Sequence, residues 1–355
     1  MSLKNKREKI DHLDDQILVL LNQRARIVKE IGRIKSKKGQ DVYASGRERE
    51  ILQRLVSRSR GPMPDESVEQ IFQEIITACR SLQKRLRIAF FGPEATFTHQ
   101  AAVKHFGRQA EYLPVVSIAD VFDEVEKERA DYGVVPIENS TEGVVNHTLD
   151  MFIDSDLMIC AEREEPIRHY LISATGEIKK IKMIYSHPQA LAQCRRWLEA
   201  HLPQASLHEA ASTADAAAHA AMDASSAAIA SSFAAQIYQL KIVASRIEDS
   251  AHNATRFLVI GRRFPSPSGH DKTSILFSLK DRVGALHDVL IPFKTHSLNL
   301  TRIESRPTKK KAWEYIFFAD INGHLSNEDM KLALEELKES CVFLKVLGSY
   351  PRGDS

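Results

Sequence analysis

Cations in apolar places are the first chemical signal in this chain. Between Arg7 and Lys35 the residues Ile10, Leu13, Ile17, Leu20, Leu21, Ile27, Val28, Ile31 and Ile34 recur at helical period, with no proline. Arg24 stands in that stripe where another aliphatic would fit. Lys35 falls on nearly the same face, about 20° around and roughly 16 Å along the axis, and Gly32 leaves room between them. Arg24 and Lys35 can therefore converge on one buried anion. Arg7 sits about 100° from Arg24 and points elsewhere, towards another subunit's site. The competing reading makes all three ordinary surface cations.

The element that must position them is one long helix. Arg7 to Lys35 would span roughly 43 Å and needs a partner along its whole length. Ser45-Gly46-Arg47-Glu48 reads as a capping box opening a second helix over roughly 46–59. Arg60-Gly61-Pro62-Met63-Pro64 breaks it. A third helix over roughly 65–86 carries Phe72, Ile76, Cys79 and Gln83 on one face, apolar at its start and polar at its end, as beside a polar cavity. Residues 1–86 are thus an all-α three-helix unit, too small to cover its longest helix, and an intertwined dimer is expected.

From residue 87 strand and helix patterns alternate, which predicts an α/β fold with mostly parallel sheets. Two such sets and a closing strand, FLVIG, predict two lobes around a cleft over 87–263. One helix is expected from Ser140 to Ile153 and one from Pro188 to His201. The Ala-rich run 210–235 keeps strand and helix signals, so tight packing is expected there. After the linker FPSPSGHDK come a strand (273–280), a helix (284–295), strands (299–305 and 312–321), a helix (326–340) and a strand (342–349). That βαββαβ order predicts a ferredoxin-like α+β domain over 272–351.

The chain of 355 residues, 43% hydrophobic and 27% charged, is that of a soluble globular protein of two or three domains. Net charge is +2, but residues 1–60 hold 16 Lys/Arg against 8 Asp/Glu. Nucleic-acid sites interleave aromatics with such cations. Only Tyr43 is aromatic there, so a small carboxylate ligand fits better and no nucleic acid is expected. Cys79, Cys160, Cys194 and Cys341 are scattered and suggest reduced thiols. The start is charged and no apolar run reaches ~18 residues, so neither a signal peptide nor a membrane span is expected. A cytoplasmic protein fits.

The motifs GPEATFTHQAA, YGVVPIENS, YSHPQALAQC and NATRFLVIG resemble prephenate dehydratase, a two-lobed, periplasmic-binding-protein-like α/β domain. GALHDV and ESRP resemble an ACT regulatory domain, and the charged positions of residues 1–86 resemble the helical chorismate mutase. Together they resemble the bifunctional chorismate mutase–prephenate dehydratase family of phenylalanine biosynthesis. The resemblance implies chorismate and prephenate as substrates, L-phenylalanine as feedback inhibitor, and no metal or other cofactor. A homodimer is expected, with a tetramer left open.

The mutase rearrangement is pericyclic. It needs a dicarboxylate held in a compact conformer and charge stabilised on the breaking ether oxygen. By resemblance, Arg24 and Arg7 of the partner subunit grip carboxylates. Lys35 and Gln83 serve the ether oxygen, Arg47 assists, and Glu48 binds the substrate hydroxyl or is only the third residue of the capping box. Cys79, often Ser in relatives, contacts substrate or packs. Ala44 stands where many relatives have Asp.

The dehydratase expels carbon dioxide and hydroxide as a ring becomes aromatic, and needs a proton donor and two held carboxylates. By resemblance Thr255 is the donor, or only orients the leaving group or caps a strand. Arg256 binds a carboxylate or is a structural ion-pair partner. Asn139 binds substrate or caps a helix, Gln189 binds substrate, and His187 is left open. Thr96 and Thr98 lie where a helix N-terminus can hold a carboxylate. Ala95 replaces the usual Gly, which argues against a positive φ in that turn. Gly284, Ala285 and Leu286, with Glu304, Ser305, Arg306 and Pro307, are the implied phenylalanine-binding residues, although Gly284 could simply begin a helix.

Two other classes compete. A non-enzymatic ligand sensor would share the cleft and the ACT domain. A degenerate helical unit that only dimerises would leave the dehydratase alone.

Overall fold

The computed structural model describes residues 2–39, 41–250, 252–280, 282–307 and 315–353. It divides into two units, one of residues 1–87 with 106–111 and one of the remainder. Among the described residues no helix is long and apolar enough to cross a membrane.

The first unit is helical. α1 (Leu3–Lys37) extends past both expected ends, capped where Ser2 Oγ accepts from the Asn5 N–H. α2 (Ser45–Arg58) and α3 (Asp65–Ser81) follow. α3 buries Val68, Ile76 and Cys79, but α1 buries no residue. Its stripe stays open, with Ile10 57%, Ile17 54% and Ile27 58% exposed. Two expectations change here. The capping box does not form: Ser45 lies inside α2, and Ala44, the N-cap residue, has no side-chain acceptor to offer. The third helix ends at Ser81 rather than 86, because the chain beyond is already extended. Leu86 C=O accepts the Glu111 N–H at 2.8 Å.

In the second unit, the first sheet is built from β1 (Arg87–Phe91), β2 (Glu111–Val115), β3 (Tyr132–Asn139), β4 (Gly143–Val144) and β5 (Met158–Pro166), with α4 (Phe97–Phe106), α5 (Ile118–Glu126) and α6 (Asn146–Asp154) between them. The second sheet contains β6 (Tyr170–Ser173), β7 (Met183–Ser186), β8 (Ser206–Glu209), β9 (Ser226–Ala230) and β10 (Lys241–Ser245), with α7 (Pro188–Gln193), α8 (Arg195–His201), α9 (Thr213–Met222) and α10 (Ser232–Ile237). The chain then returns as β11 (Ala254–Gly261) to the first sheet, between β3 and β5. The strand orders are β2-β1-β3-β11-β5 and β10-β6-β9-β7-β8.

The sheets are mixed rather than mostly parallel. β11 runs antiparallel to β3 and β5, and β6 antiparallel to β9 and β10, because chain that crosses between sheets and returns must reverse direction. The helix expected from Ser140 starts only at Asn146, after a short hairpin strand, and that expected over 188–201 breaks at Cys194. Ala214, Ala217, Ala228 and Ala230 are fully buried together, so the Ala-rich run is close helix-on-sheet packing. Ala95 adopts φ +69°, against expectation. Its methyl is buried in the same apolar cluster, and that burial offsets the cost of the left-handed backbone.

The last domain is ferredoxin-like. β12 (Asp271–Leu279), β13 (Leu300–Pro307), β14 (Tyr315–Asn322) and β15 (Cys341–Pro351) form an antiparallel sheet in the order β13-β14-β12-β15. The expected strand residues 312–314 lie outside the described residues. The helix expected over 284–295 is two short ones, α11 (Ala285–Asp288) and α12 (Ile291–Thr295), since Pro292 has no N–H to continue the ladder. α13 (Glu328–Ser340) completes the helical layer. The sheet's other face, through Leu276, Ile316, Phe318, Leu347 and Tyr350, shares one core with Ile137, Leu149, Phe152 and Leu258 of the first sheet.

That shared core depends on backbone contact. Gly348, at φ +157°, lies so close to β5 that an added Cβ would sit 2.3 Å from Ile159 O. Gly348→Ala is therefore expected to cost at least about 2 kcal/mol, because a backbone atom must move. Thermal unfolding reads this directly, and an unchanged midpoint would contradict the packing described.

Candidate active sites

In the helical unit, Lys35 Nζ donates to the carbonyls of Asp41 (3.0 Å) and Val42 (3.1 Å). Burial lowers its pKa, and Glu48 and Asp41 oppose that shift. Gln83 packs against α1 at Gly32, where a Cβ would meet Gln83 Cγ at 2.8 Å. Glu48 is held by Arg80, whose Nη1 donates to both carboxylate oxygens at 2.7 and 2.9 Å. Burial is the largest influence on Glu48 and raises its pKa, against the opposing charges of Arg80, Lys35 and Arg24. Arg80 itself donates to Phe106 O and lies 5.1 Å from the Tyr43 ring centroid.

Arg24, Lys35 and Glu48 are thus brought within one electrostatic neighbourhood, with Gln83 packed on α1 between Arg24 and Lys35 at Gly32. Arg24 Nη1 and Gln83 Oε1 are buried without a hydrogen-bond partner among the described residues. A buried donor and acceptor left open in this way cost stability, which is characteristic of groups kept for a ligand. Arg47 is not part of the group. It is exposed and pairs with Glu50 at 2.6 Å. Arg7 is exposed on α1, and Cys79 is buried in α3.

The second site is a cavity of about 810 Å³ lined by the first sheet and by loops and helices around the second, including Thr96, Thr98, Asn139, His169, His187, Gln189, Gln193 and Thr255. Thr255 and Asn139 are register partners on β11 and β3. Asn139 Nδ2 donates to Thr255 Oγ1 at 2.8 Å and to Asn253 Oδ1 at 2.9 Å. Its Oδ1 accepts from the N–H groups of Thr141 and Glu142, so it caps a turn and not a helix. Since Thr255 Oγ1 accepts from Asn139, its hydroxyl proton is left to donate. Beyond Asn253, Gln193 Oε1 accepts from Asn253 Nδ2 (3.0 Å) and is 2.9 Å from His169 Nε2. Burial lowers the His169 pKa, and its Nδ1 has no partner among the described residues.

Among the described residues lining this cavity there is no Lys or Arg. Anionic groups must be met by hydroxyls, amide N–H groups and imidazoles. Among the described residues, none gather in a cluster of His, Cys, Asp and Glu suited to a metal ion.

Residues 6–84 match chorismate mutase type II, residues 88–265 prephenate dehydratase, and residues 273–339 the ACT domain. The bifunctional chorismate mutase/prephenate dehydratase of Aquifex aeolicus (strain VF5) is 52% identical over 99% of this chain and 98% of its own. The chain belongs to the bifunctional chorismate mutase/prephenate dehydratase family. The Escherichia coli (strain K12) member is 35% identical, over 97% of this chain and 95% of its own. A solved prephenate dehydratase from Arthrobacter aurescens, in complex with L-Phe, is 35% identical with a TM-score of 0.69, covering 75% of this chain and 90% of that one.

Within this bifunctional family's layout, Arg256 of the dehydratase is the residue the sequence left undecided and the geometry decides. It does not line the cavity. Side chains alternate along β11, so Thr255 and Phe257 face the cleft and Arg256 faces the ACT sheet. There it bonds Glu162 Oε2 at 2.7 Å and Asp320 Oδ2 at 2.8 Å. It is an ion-pair partner here, not a carboxylate binder.

Gln193, His169, Asn253 and Arg80 were not singled out from the sequence. Gln193 had a legible signal, since it lies four residues after Gln189 on one face of α7. Arg80 could be found only by knowing that α2 and α3 pack together. In the ACT domain Gly284 has φ +81° and precedes α11, as a helix opener should. Leu286 is exposed, and Glu304–Pro307 lie on the edge strand β13. Arg306 points to the dehydratase, pairing with Asp150 at 3.0 Å and donating to Asn146 O.

Proposed function

We propose that this chain rearranges chorismate to prephenate in its helical unit, and that the cleft converts prephenate to phenylpyruvate. The supporting observation is the Asn139–Thr255 hydrogen bond at the wall of the large cavity, in a family member whose helical unit gathers Arg24, Lys35 and Gln83. In the mutase site Arg24 holds a carboxylate, and Lys35 and Gln83 meet the ether oxygen as its bond breaks. Glu48, neutralised by Arg80, is placed to accept from the substrate hydroxyl. In the cleft, the C–O bond breaks as carbon dioxide leaves. The departing hydroxide takes the Thr255 proton and becomes water, and the Thr255 oxygen takes a proton back from solvent before the next turnover. Asn139 polarises that hydroxyl, while Thr96, Thr98 and Gln189 meet the substrate's polar groups. His187 caps α7 and remains a wall residue.

L-phenylalanine is the proposed effector, bound by Gly284–Leu286 and Glu304–Pro307 across two ACT domains. The exposed stripe of α1 supports a homodimer in which Arg7 of the partner subunit completes the mutase site, with a tetramer also compatible. The cytoplasm is the proposed location.

Purified chain given chorismate alone is expected to produce phenylpyruvate, and less of it with phenylalanine added. Accumulating prephenate would remove the dehydratase from this reading. Untouched chorismate, with added prephenate still consumed, would make the helical unit a scaffold.

A further inference from the structure

The two cleft residues each have a charged neighbour on the reverse face. In the β3–β11 register Asn139 opposes Thr255, and Glu138 opposes Arg256. In the ACT sheet Arg302 opposes Asp320 across β13 and β14. The two charge pairs meet face to face. Arg256 Nη2 is 2.8 Å from Asp320 Oδ2, and Arg302 Nη2 is 3.3 Å from Glu138 Oε2. Four charges of alternating sign thus close a square, directly behind the Asn139–Thr255 hydrogen bond.

The two halves of the square differ. Asp320 is buried, Arg256 nearly so, and the pair is braced by Glu162, Lys272, Ser274 and Tyr350. That corner is fixed. Arg302 Nη2 is buried but makes no aligned hydrogen bond, and the Glu138 side chain is 38% exposed. This second corner is a joint with slack. It lies on β13, the edge strand that carries Glu304–Pro307. Farther along β13, Arg306 is tied to Asn146 O at the start of α6 and to Asp150 in its middle. A shift of β13 therefore acts on both ends of the segment 138–146. That segment supplies the turn N–H groups that orient Asn139.

We propose that Arg302 is a positioning residue of the dehydratase: its ion pair with Glu138 transmits the position of ACT strand β13 to Asn139 and so to Thr255. This rests on the dehydratase reading given above. Sub-ångström shifts of a packed interface suffice, because the reacting geometry is steep in distance.

The test uses the full chain with Arg302→Met, Arg302→Lys and, from the other side of the pair, Glu138→Gln. Dehydratase kcat and KM are measured on prephenate with and without phenylalanine, phenylalanine binding by calorimetry, and thermal unfolding as the folding control. For Arg302→Met, kcat is expected to fall about tenfold, with KM for prephenate within about twofold. Phenylalanine should still bind yet inhibit by less than about twofold, and Arg302→Lys should restore most of both kcat and inhibition. Glu138→Gln should repeat the loss of inhibition. Native kcat and native inhibition in Arg302→Met would overturn the proposal. So would loss of phenylalanine binding itself, which would place Arg302 in the effector site. A variant that fails to fold shows as a lost or lowered unfolding transition of the unit that carries Arg302, and Glu138→Gln then decides alone. Wild-type chain inert towards prephenate would instead sink the dehydratase reading.

Discussion

Thr255→Val is expected to lower dehydratase turnover by about 10²–10⁴-fold, the usual worth of a positioned proton donor, and to leave the mutase unchanged. The substitution suits the test because it isolates the hydroxyl. Valine matches threonine in shape and favours a strand, and Thr255 sits within β11. Asn139 Nδ2 does not become an orphan when Oγ1 is lost. It keeps Asn253 Oδ1 at 2.9 Å and Ala254 O at 3.2 Å. The folding cost is thus about 1 kcal/mol or less, that of one hydrogen bond with alternatives at hand. Thr255→Ser should recover much of the rate. If the Val variant turned over prephenate within about fivefold of wild type, the hydroxyl would be a strand constituent and the proton would have to come from elsewhere, with His169, on the same cavity wall and with its Nδ1 unpartnered among the described residues, the first candidate.

Thr255 and Arg256 are adjacent in the sequence yet separated by the fold. Adjacent strand residues face opposite ways, so the two could not both serve one cleft. That parity was available in the sequence. What was not available was which face the ACT sheet would cover, and so which of the two would be paired away. The same applies to Glu138 and Asn139. The long helix was legible because apolar period survives over about seven turns, whereas its ends were not, being set by Ser2 and by the loop carbonyls that hold Lys35. The capping box failed because its pattern is local and its rival is not. Glu48 gains a charge-assisted bond from Arg80 Nη1 to both its oxygens, stronger than a bond back to a backbone N–H. At Ala95 the backbone demand and the core demand conflict, and only the packing of the second sheet's alanines shows that a methyl fills space a glycine would leave empty. The breaks in the helices at 194 and 289–290 fall within apolar periodicity that runs through them, so period alone could not place them.

Arg24→Ala carries the second large expectation, and its two readouts should move in opposite senses. Mutase kcat/KM is expected to fall about 10²–10³-fold, as when one oriented donor to a developing or bound negative charge is removed. Dehydratase activity on supplied prephenate should be unaffected. Stability should not fall with the mutase. Arg24 Nη1 is buried with no partner among the described residues, a condition that itself costs about 1–3 kcal/mol. Alanine is also the best helix former, and the site is in the interior of α1. The thermal midpoint of the variant is therefore expected to hold or rise. A structural arginine behaves the other way, losing stability with little change in chemistry. A folded Arg24→Ala variant that keeps its mutase activity would remove Arg24 from the site. The cluster of Lys35, Glu48, Arg80 and Gln83 would then have no cation free of a protein carboxylate or carbonyl, and so no group left to grip a dicarboxylate from this subunit.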